Sequence, residues 1–352
     1  MKTLLLTLDY ELYGNGSGDV FRHIIEPTDR ILQIAEKYGA RLTIFFEVIE
    51  YWKLKEEWEK GNAMGYDRNP IEAMEKQLKY ACQCGHDIQL HLHPQWVDAC
   101  YQDGKWHINI EDWKLGTYCK AGEYTLGKLF EKGKQTIENI IKPINPNFRC
   151  IAVRAGGYNI QPSEAIVKVM EETGFMIDSS IYPGGKEDGA LSVYDYSVIP
   201  VENDFWHVGT KLEATGNSPI VELPIVAFPI VRWKKYISKD RIKSLLQNRK
   251  SAQASFAAKT STGNGGLLDK INYFFQDEWQ TWDYCLFSKA LHKHFLQRFD
   301  NLNRQYGVLV GHPKSFVDGG NLEFLLSQTR GKYQYCTITD FHNELMRYES
   351  EH

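Results

Sequence analysis

Hydrophobic and polar residues follow two different spacings along this chain, one typical of strands and one typical of helices. Residues 3–8 form a short, nearly continuous apolar run, which predicts a strand buried on both faces. Residues 27–38 carry apolar side chains at helical spacing up to Gly39, and residues 42–46 form a second apolar strand. A strand, a helix and another strand in this order predict a βαβ unit with parallel strands.

The rest of the chain largely repeats this alternation. Further strands are predicted at about 87–93, 149–153, 174–177, 219–226, 307–311 and 333–337, and further helices at about 69–81, 124–141, 162–173 and from 339 onward. Residues 97–121 lack a clean period and predict a long loop. Residues 237–300 depart from the rhythm and predict a helical insertion with a small-residue-rich centre. We expect one domain, residues 1–352, because an α/β barrel with insertions accommodates this length.

The composition is that of a globular protein and excludes several classes of function. Hydrophobic residues make up 43% of the chain, the net charge is −4, and no dense run of Lys or Arg offers a surface for nucleic acid. No stretch approaches the roughly 20 apolar residues of a membrane span, and Asp9 interrupts the apolar start before it reaches signal-peptide length. The seven cysteines lack the paired motifs of a structural zinc site, so we expect reduced thiols in a cytoplasmic protein.

Two histidines stand out in the strand at 87–93. His91 and His93 are two residues apart and share a face, and Pro94 should end the strand directly after them. Active sites of α/β barrels lie at the carboxyl ends of the strands. The pair alone also fits two surface or hydrogen-bonded histidines, so the functional interpretation depends on the other strand ends.

Three other predicted strand ends carry polar groups. Asp9 and Glu11 follow the first strand on a shared face, where two carboxylates are costly unless cations or donors compensate them. Arg154 follows the strand at 149–153, and His312 follows the strand at 307–311. In a closed parallel barrel these four ends converge.

The converging residues fit a hydrolytic metal site. Two imidazoles and a carboxylate are the ligand set of a catalytic divalent ion, so we expect Glu11, His91 and His93 to bind one ion, zinc by preference with cobalt or nickel as alternatives. Asp9, ionised and oriented by Arg154, is the predicted general base, and His312 is the predicted general acid.

Four further residues are predicted to contact the substrate: Trp96, Gly157, Tyr158 and Asp178. A backbone N–H near Gly157 can help to hold an oxyanion. The aromatic rings of the loop that follows the His strand suit stacking on a sugar, with buried loop anchors as the alternative. Asp178 also fits an ordinary turn residue.

At this point the chain resembles the polysaccharide deacetylases of the NodB-homology type, carbohydrate esterase family 4. The stretches that carry the resemblance occur in the family's order, at residues 7–11 (TLDYE), 41–46 (RLTIFF), 85–91 (GHDIQLH), 154–157 (RAGG) and 308–312 (VLVGH). The resemblance implies a distorted (β/α) barrel with seven or eight strands. It also implies metal-dependent hydrolysis of an N-acetyl group on a carbohydrate substrate.

The chain departs from the family pattern at three places. Gln95 stands where the family has its second metal histidine, Tyr10 replaces the second Asp of the first motif, and only residues 178–180 remain of the fourth motif. If the metal site is intact, His93 must substitute for the missing histidine. The departures resemble a divergent branch associated with the biosynthesis of surface polysaccharides.

Two other functions remain open from the sequence. One is an amidase acting on a small non-peptide C–N bond, as in allantoinase-like relatives of the same fold. The other is a non-catalytic carbohydrate-binding protein that kept the fold and lost the metal, which His91 and His93 turned apart would indicate. The sequence carries no signal for a particular oligomeric state.

Overall fold

The computed structural model describes residues 1–231 and 277–351 of the chain. The strands are β1 (Thr3–Tyr10), β2 (Leu42–Glu47), β3 (Asp87–Leu92), β4 (Cys100–Gln102), β5 (Lys105–His107), β6 (Ala152–Ala155), β7 (Ile177–Asp178), β8 (Lys186–Asp188), β9 (Val193–Asp195), β10 (Trp206–His207), β11 (Val221–Glu222), β12 (Ala227–Val231), β13 (Asp277–Thr281), β14 (Tyr306–Gly311) and β15 (Gln334–Tyr335). The helices are α1 (Glu26–Tyr38), α2 (Val48–Glu59), α3 (Pro70–Gln83), α4 (Leu126–Ile141), α5 (Glu164–Thr173), α6 (Lys289–Asp300), α7 (Gly319–Thr329) and α8 (Ile338–Glu351).

A curved parallel sheet forms the centre of the fold. Its strands follow the order β11-β7-β6-β3-β2-β1-β14, and every neighbouring pair along this path is parallel. The two ends of the sheet meet, because Ile225, just after β11, forms a parallel bridge with Val308 in β14. The N–H of Val226 donates to the Val308 carbonyl oxygen, with N and O 2.9 Å apart, as in a sheet ladder. This arrangement confirms the predicted (β/α) barrel.

Local sequence signals explain where several elements begin and end. All eight residues of β1 are buried, as expected for a strand between two parallel neighbours. Helix α3 begins with Pro70, and the Asn69 side chain accepts hydrogen bonds from the N–H groups of the first turn. Helix α1 ends at Gly39, which adopts the left-handed conformation with φ of 69°.

The structure departs from the predicted elements in several places, and helix α7 and the hairpin β8–β9 are among the elements that were not predicted. Helix α2 was not predicted, because it follows β2 without a connecting loop and has no strong apolar stripe; the Glu47 side chain caps it by accepting from the Ile49 N–H. The stretch 97–121, predicted as a loop, contains the antiparallel hairpin β4–β5 and several short 3₁₀ turns. Of the described helices, none is both long enough and apolar enough to cross a membrane.

The predicted insertion at 237–300 is only partly visible. Residues 237–276 lie outside the described residues. From 277 onward the chain forms β13, which pairs antiparallel with β12, and then the helix α6. Between them Trp282 is fully buried and Asp283 bridges to Val310 in β14. The last part of the predicted insertion is therefore packed into the barrel wall.

Candidate active site

Asp9 and Glu11 lie together at the carboxyl end of β1, on the inner face of the barrel. Both are buried, with 3% and 5% of their surface exposed. Tyr10 points the other way, and its hydroxyl donates to Gln77 Oε1 at 2.8 Å. The alternation expected of an extended backbone thus sends both carboxylates to one face.

Arg154, at the end of β6, holds Asp9 from one side. The guanidinium is fully buried, and its Nη1 lies 2.7 Å from Asp9 Oδ1 and 2.7 Å from Thr7 Oγ1. Its remaining donors reach the carbonyl and the hydroxyl of Ser179, and its plane lies over the Phe45 ring. Arginine is suited to this position because its planar fork can make several fixed hydrogen bonds at once.

His312 approaches Asp9 from the other side. Its Nε2 lies 3.6 Å from Asp9 Oδ2, and its Nδ1 donates to Asp283 Oδ2 at 2.9 Å. Asp283 is itself fixed, because its Oδ1 accepts from the backbone N–H groups of Cys285 and Leu286. The His312 side chain is 21% exposed, more than Asp9 or Asp283, so it can meet a ligand arriving from solvent.

The charges around these groups set their protonation. Burial would raise the pKa of Asp9, but the charges of Arg154, His91 and His312 hold that pKa below its ordinary value. Burial would lower the pKa of His312, but the hydrogen bond and the charge of Asp283, with the charge of Asp9, raise it above the ordinary value. Near neutral pH this favours an ionised Asp9 facing a protonated His312.

Glu11 belongs to a second cluster, formed with Glu47, His91 and His93. One possible ligand atom from each of these four buried residues lies within 4.8 Å of the others. Glu11 Oε2 is 3.4 Å from His91 Nε2 and 2.9 Å from His93 Nδ1, and Glu47 Oε2 is 3.0 Å from His93 Nδ1. The ring centroids of His91 and His93 are 4.8 Å apart, and each ring presents a nitrogen to Glu11 Oε2.

Strand register brings the cluster together. Glu47 in β2 pairs with His91 in β3, and His91 pairs with Arg154 in β6, so the three side chains share the inner face. His91 Nδ1 lies 2.9 Å from the Arg154 carbonyl oxygen. Because a carbonyl only accepts, Nδ1 donates to it, and Nε2 is the ring nitrogen that faces Glu11.

The cluster fits a divalent ion. Its donors are two imidazoles and two carboxylates, which zinc and related ions bind in proteins. Burial would raise the pKa of Glu11, yet the charges of His93 and Lys314 hold it well below its ordinary value. Burial would lower the pKa of His93, but Glu11 and Glu47 raise it to about 10. A cation beside Glu11 therefore offsets the cost of burying its charge.

Gln95, the residue at the family's histidine position, is not part of this cluster. It lies in the 3₁₀ turn after β3 and is fully buried, and within the described ranges neither its amide nitrogen nor its amide oxygen has a hydrogen-bond partner. His93, by contrast, faces Glu11 and Glu47 directly.

The residues predicted to contact substrate fall into two groups. Gly157 and Tyr158 lie beside the site, and both have positive φ, 58° and 62°. Trp96 is only 1% exposed and packs edge-to-face on Trp106, which fits the alternative of a loop anchor. The ring beside the site is Trp113, whose centroid lies 6.2 Å from that of His93.

Asp178 lies away from solvent at the end of β7. It is 1% exposed, and its two oxygens accept from the N–H and the hydroxyl of Ser180, each at 2.9 Å. Its cross-strand neighbour in β11 is Glu222, which is fully buried. Burial raises the pKa of both carboxyl groups.

Three residues of the site carry no role in the sequence-based prediction. Glu47 and Lys314 have a local signal, because each follows an apolar strand: Glu47 comes directly after the predicted strand at 42–46, and Lys314 comes two residues after His312. Lys314 Nζ lies 2.6 Å from Glu11 Oε1 and 2.7 Å from the Leu12 carbonyl oxygen. Asp283 has no such signal, because its position depends on contacts of β14 with a segment assigned to the insertion.

Comparison with known proteins identifies the fold. No protein-family model and no curated protein matches the sequence. Among solved structures, a candidate polysaccharide deacetylase from Mycobacterium smegmatis is similar with a TM-score of 0.50 and 12% identity, over 99% of this chain and 91% of that chain. PuuE allantoinase matches with a TM-score of 0.45 and 11% identity, over 97% of this chain and 89% of that chain.

A probable polysaccharide deacetylase from Pseudomonas aeruginosa PAO1 matches with a TM-score of 0.42 and 12% identity, over 98% of this chain and 91% of that chain. The likeness to the mycobacterial structure shows that this chain has the barrel fold of the polysaccharide deacetylases. The fold predicted from the sequence resemblance is thereby confirmed. At this identity a shared fold does not establish a shared activity.

Proposed function

We propose that the protein is a metal-dependent hydrolase that removes an N-acetyl or related acyl group from a sugar of a surface polysaccharide or its precursor. The observation that carries this proposal is the position of Asp9, held by Arg154 and facing His312, next to the buried cluster around Glu11. The sugar and its surface-polysaccharide origin rest on the resemblance of residues 7–11, 85–91 and 308–312 to the family motifs.

Asp9 is the proposed general base. Arg154 fixes Oδ1, so Oδ2 is the oxygen available to take a proton from an attacking water. The low pKa of Asp9 keeps this oxygen ionised near neutral pH. A divalent ion at Glu11, His91 and His93 would polarise the acyl carbonyl and lower the pKa of that water.

His312 is the proposed general acid. As the C–N bond breaks, the leaving amine takes a proton from His312 Nε2, which Asp283 holds in the protonated state through Nδ1. The products are a carboxylate, which is acetate for an N-acetyl group, and a free amino sugar. Trp113 lies beside His93, and Gly157 lies beside Trp113. The Trp113 ring and the backbone of Gly157 are the proposed contacts for the sugar and the acyl oxygen.

The mutual orientation of His91 and His93 favours an enzyme over a non-catalytic relative. In a protein that had lost the metal, the two rings would be free to turn apart, whereas here both present a nitrogen to Glu11.

Acetate release tests the proposal. The protein, loaded with zinc, cobalt or nickel, is incubated with N-acetylated sugars in free, nucleotide-linked and polymeric form. We expect acetate release by the wild type, no turnover with retained metal for Asp9→Asn, and loss of both metal and turnover for His91→Ala. Full activity of Asp9→Asn would overturn the assignment of the base, and no acetate release from any of these sugars by a metal-loaded wild type would overturn the proposed function.

A further inference from the structure

The buried cluster contains one more potential ligand than the set predicted from the sequence. We propose that Glu47 is a fourth protein ligand of the divalent ion, together with Glu11, His91 and His93, and that His93 binds through Nδ1. This inference rests on the proposed function, because both use one ion at the same cluster. It adds a carboxylate that the sequence motifs do not assign.

Each carboxylate of the cluster has one oxygen held by the protein and one directed into the cluster. Glu11 Oε1 accepts from Lys314 Nζ at 2.6 Å, which leaves Oε2 toward the two histidines. Glu47 Oε1 accepts from the Ile49 N–H at 3.0 Å, which leaves Oε2 toward His93. Both carboxylates are therefore set to bind an ion through a single oxygen.

The imidazoles show the same division. His91 donates from Nδ1 to the Arg154 carbonyl, so Nε2 is its ligand atom. On His93 the Nε2 edge packs against Gly156, where a Cβ would lie 2.3 Å from Nε2 and 2.1 Å from Cδ2. Only Nδ1 of His93 faces the carboxylates, at 2.9 Å from Glu11 Oε2 and 3.0 Å from Glu47 Oε2.

Charge balance supports a ligand role for both glutamates. Glu11 and Glu47 approach the same nitrogen at nearly equal distances, and both are buried. Two buried carboxylates together neutralise one divalent ion, which lowers the cost of burying either charge. The rival role for Glu47 is that of a positioning residue, which accepts a hydrogen bond from His93 and lies outside the ligand set.

Cobalt binding distinguishes the two roles, with Glu47→Gln as the test variant and Glu50→Gln as its matched control. Glu50 lies three residues further on, in the first turn of helix α2, and is also a buried glutamate, but it accepts a hydrogen bond from the Leu12 N–H and is not part of the cluster. Metal-free wild type and variants are titrated with Co²⁺, and the visible spectrum of each loaded protein is recorded. We expect Glu47→Gln to bind Co²⁺ at least about tenfold more weakly and to show shifted visible bands, and Glu50→Gln to match the wild type.

The spectrum decides the outcome. Residues outside the ligand set can change metal affinity about 10–100-fold, but they leave the ligands in place. A wild-type spectrum for Glu47→Gln, even with weaker binding, would therefore overturn the proposal. If this variant does not fold, Glu47→Asp replaces it, because a retained but shorter carboxylate ligand should shift the bands while an outer residue should not.

Failure of this inference can be told apart from failure of the proposed function. A wild type that releases acetate while Glu47→Gln keeps the wild-type spectrum leaves the deacetylase and removes Glu47 from the ligand set. A spectrum that depends on Glu47 in a protein that releases no acetate leaves the four-ligand site and removes the proposed function.

Discussion

Asp9 and Glu11 lie at the end of β1, and Asp178 and Glu222 lie side by side on β7 and β11, so the same barrel buries two pairs of carboxyl groups. Cations surround the first pair, and the pKa of each member is lowered. The second pair makes no ion pair within the described part of the chain, and the pKa of each member is raised.

The second pair is surrounded by hydrogen-bond donors rather than by ion-pair partners. Glu222 Oε1 accepts from the Ile181 N–H, but Oε2 has no donor among the described residues, and Asp178 already accepts twice from Ser180. Because the pKa of both groups is raised, we expect a proton shared between Asp178 and Glu222 to supply the missing donor. The comparison teaches that burial alone does not decide whether a carboxyl group is ionised; the neighbouring cations lower the pKa of Asp9 and Glu11 despite their burial.

The largest expected effect comes from neutralising one member of each pair. Asp9→Asn removes the base and should lower kcat by about a thousandfold, within the range for general acid–base residues. Glu222→Gln replaces an already protonated acid with an isosteric amide and should change kcat by no more than about twofold. Acetate release under saturating substrate measures both, and equal losses in the two variants would contradict the distinction.

Replacing the Arg154 guanidinium with an ammonium should lower the stability of the fold. Arg154→Lys cannot reproduce the hydrogen bonds to Thr7, Asp9 and Ser179 at once, so we expect a loss of about 3 kcal/mol in the free energy of unfolding. Urea denaturation monitored by circular dichroism measures it. Lys132→Arg, an exchange between the same residue types on a surface helix, is the control and should change stability by less than about 0.5 kcal/mol.

The hydrogen bond from His312 to Asp283 should appear in the pH profile. In the wild type the raised pKa of His312 keeps the acid protonated to higher pH than an ordinary histidine. Asp283→Asn removes the charge and should move the alkaline limb of kcat to lower pH, with a loss of about tenfold at neutral pH. An unchanged alkaline limb would show that another group donates the proton.

The smallest effect is expected from the pH dependence of stability. The raised pKa of Glu222 means that the folded state binds more protons than the unfolded state once the pH exceeds the ordinary glutamate value of 4.5. Wild-type stability should therefore fall, relative to Glu222→Gln, as the pH rises above that value. Urea titrations of both proteins over about four pH units, from about pH 4 to about pH 8, measure this difference. Parallel curves of stability against pH would contradict the shared proton.

Residue patterns at strand ends pointed to several members of the candidate site. The polar residues that follow the apolar runs of β1, β6 and β14 are Asp9, Arg154 and His312, and the structure brings these three together at one end of the barrel. These residues were accessible because each directly follows an apolar run. The βα rhythm likewise predicted the barrel, although it missed α2, whose start depends on a capping side chain rather than on an apolar stripe.

The partners of these residues were not accessible in the same way. Glu47 meets His93 only through the register of β2 on β3, and Asp283 meets His312 only because a segment far from any predicted strand bridges to β14. Trp96 shows a second limit of the sequence, because an aromatic residue in a predicted loop gives the same sequence pattern whether its ring contacts a ligand or packs in the core, as Trp96 does. Such assignments require three-dimensional contacts.

The bond between Lys314 and Glu11 joins residues 303 positions apart in the chain. During synthesis, β1 leaves the ribosome long before β14, its partner on one side, has been made. Until then one edge of a strand that is wholly buried in the folded protein stays unpaired, which is a state prone to aggregation. The pairing of β14 with β1 thus completes the candidate site and protects this edge in one late step, so a chain that stops before residue 306 lacks both.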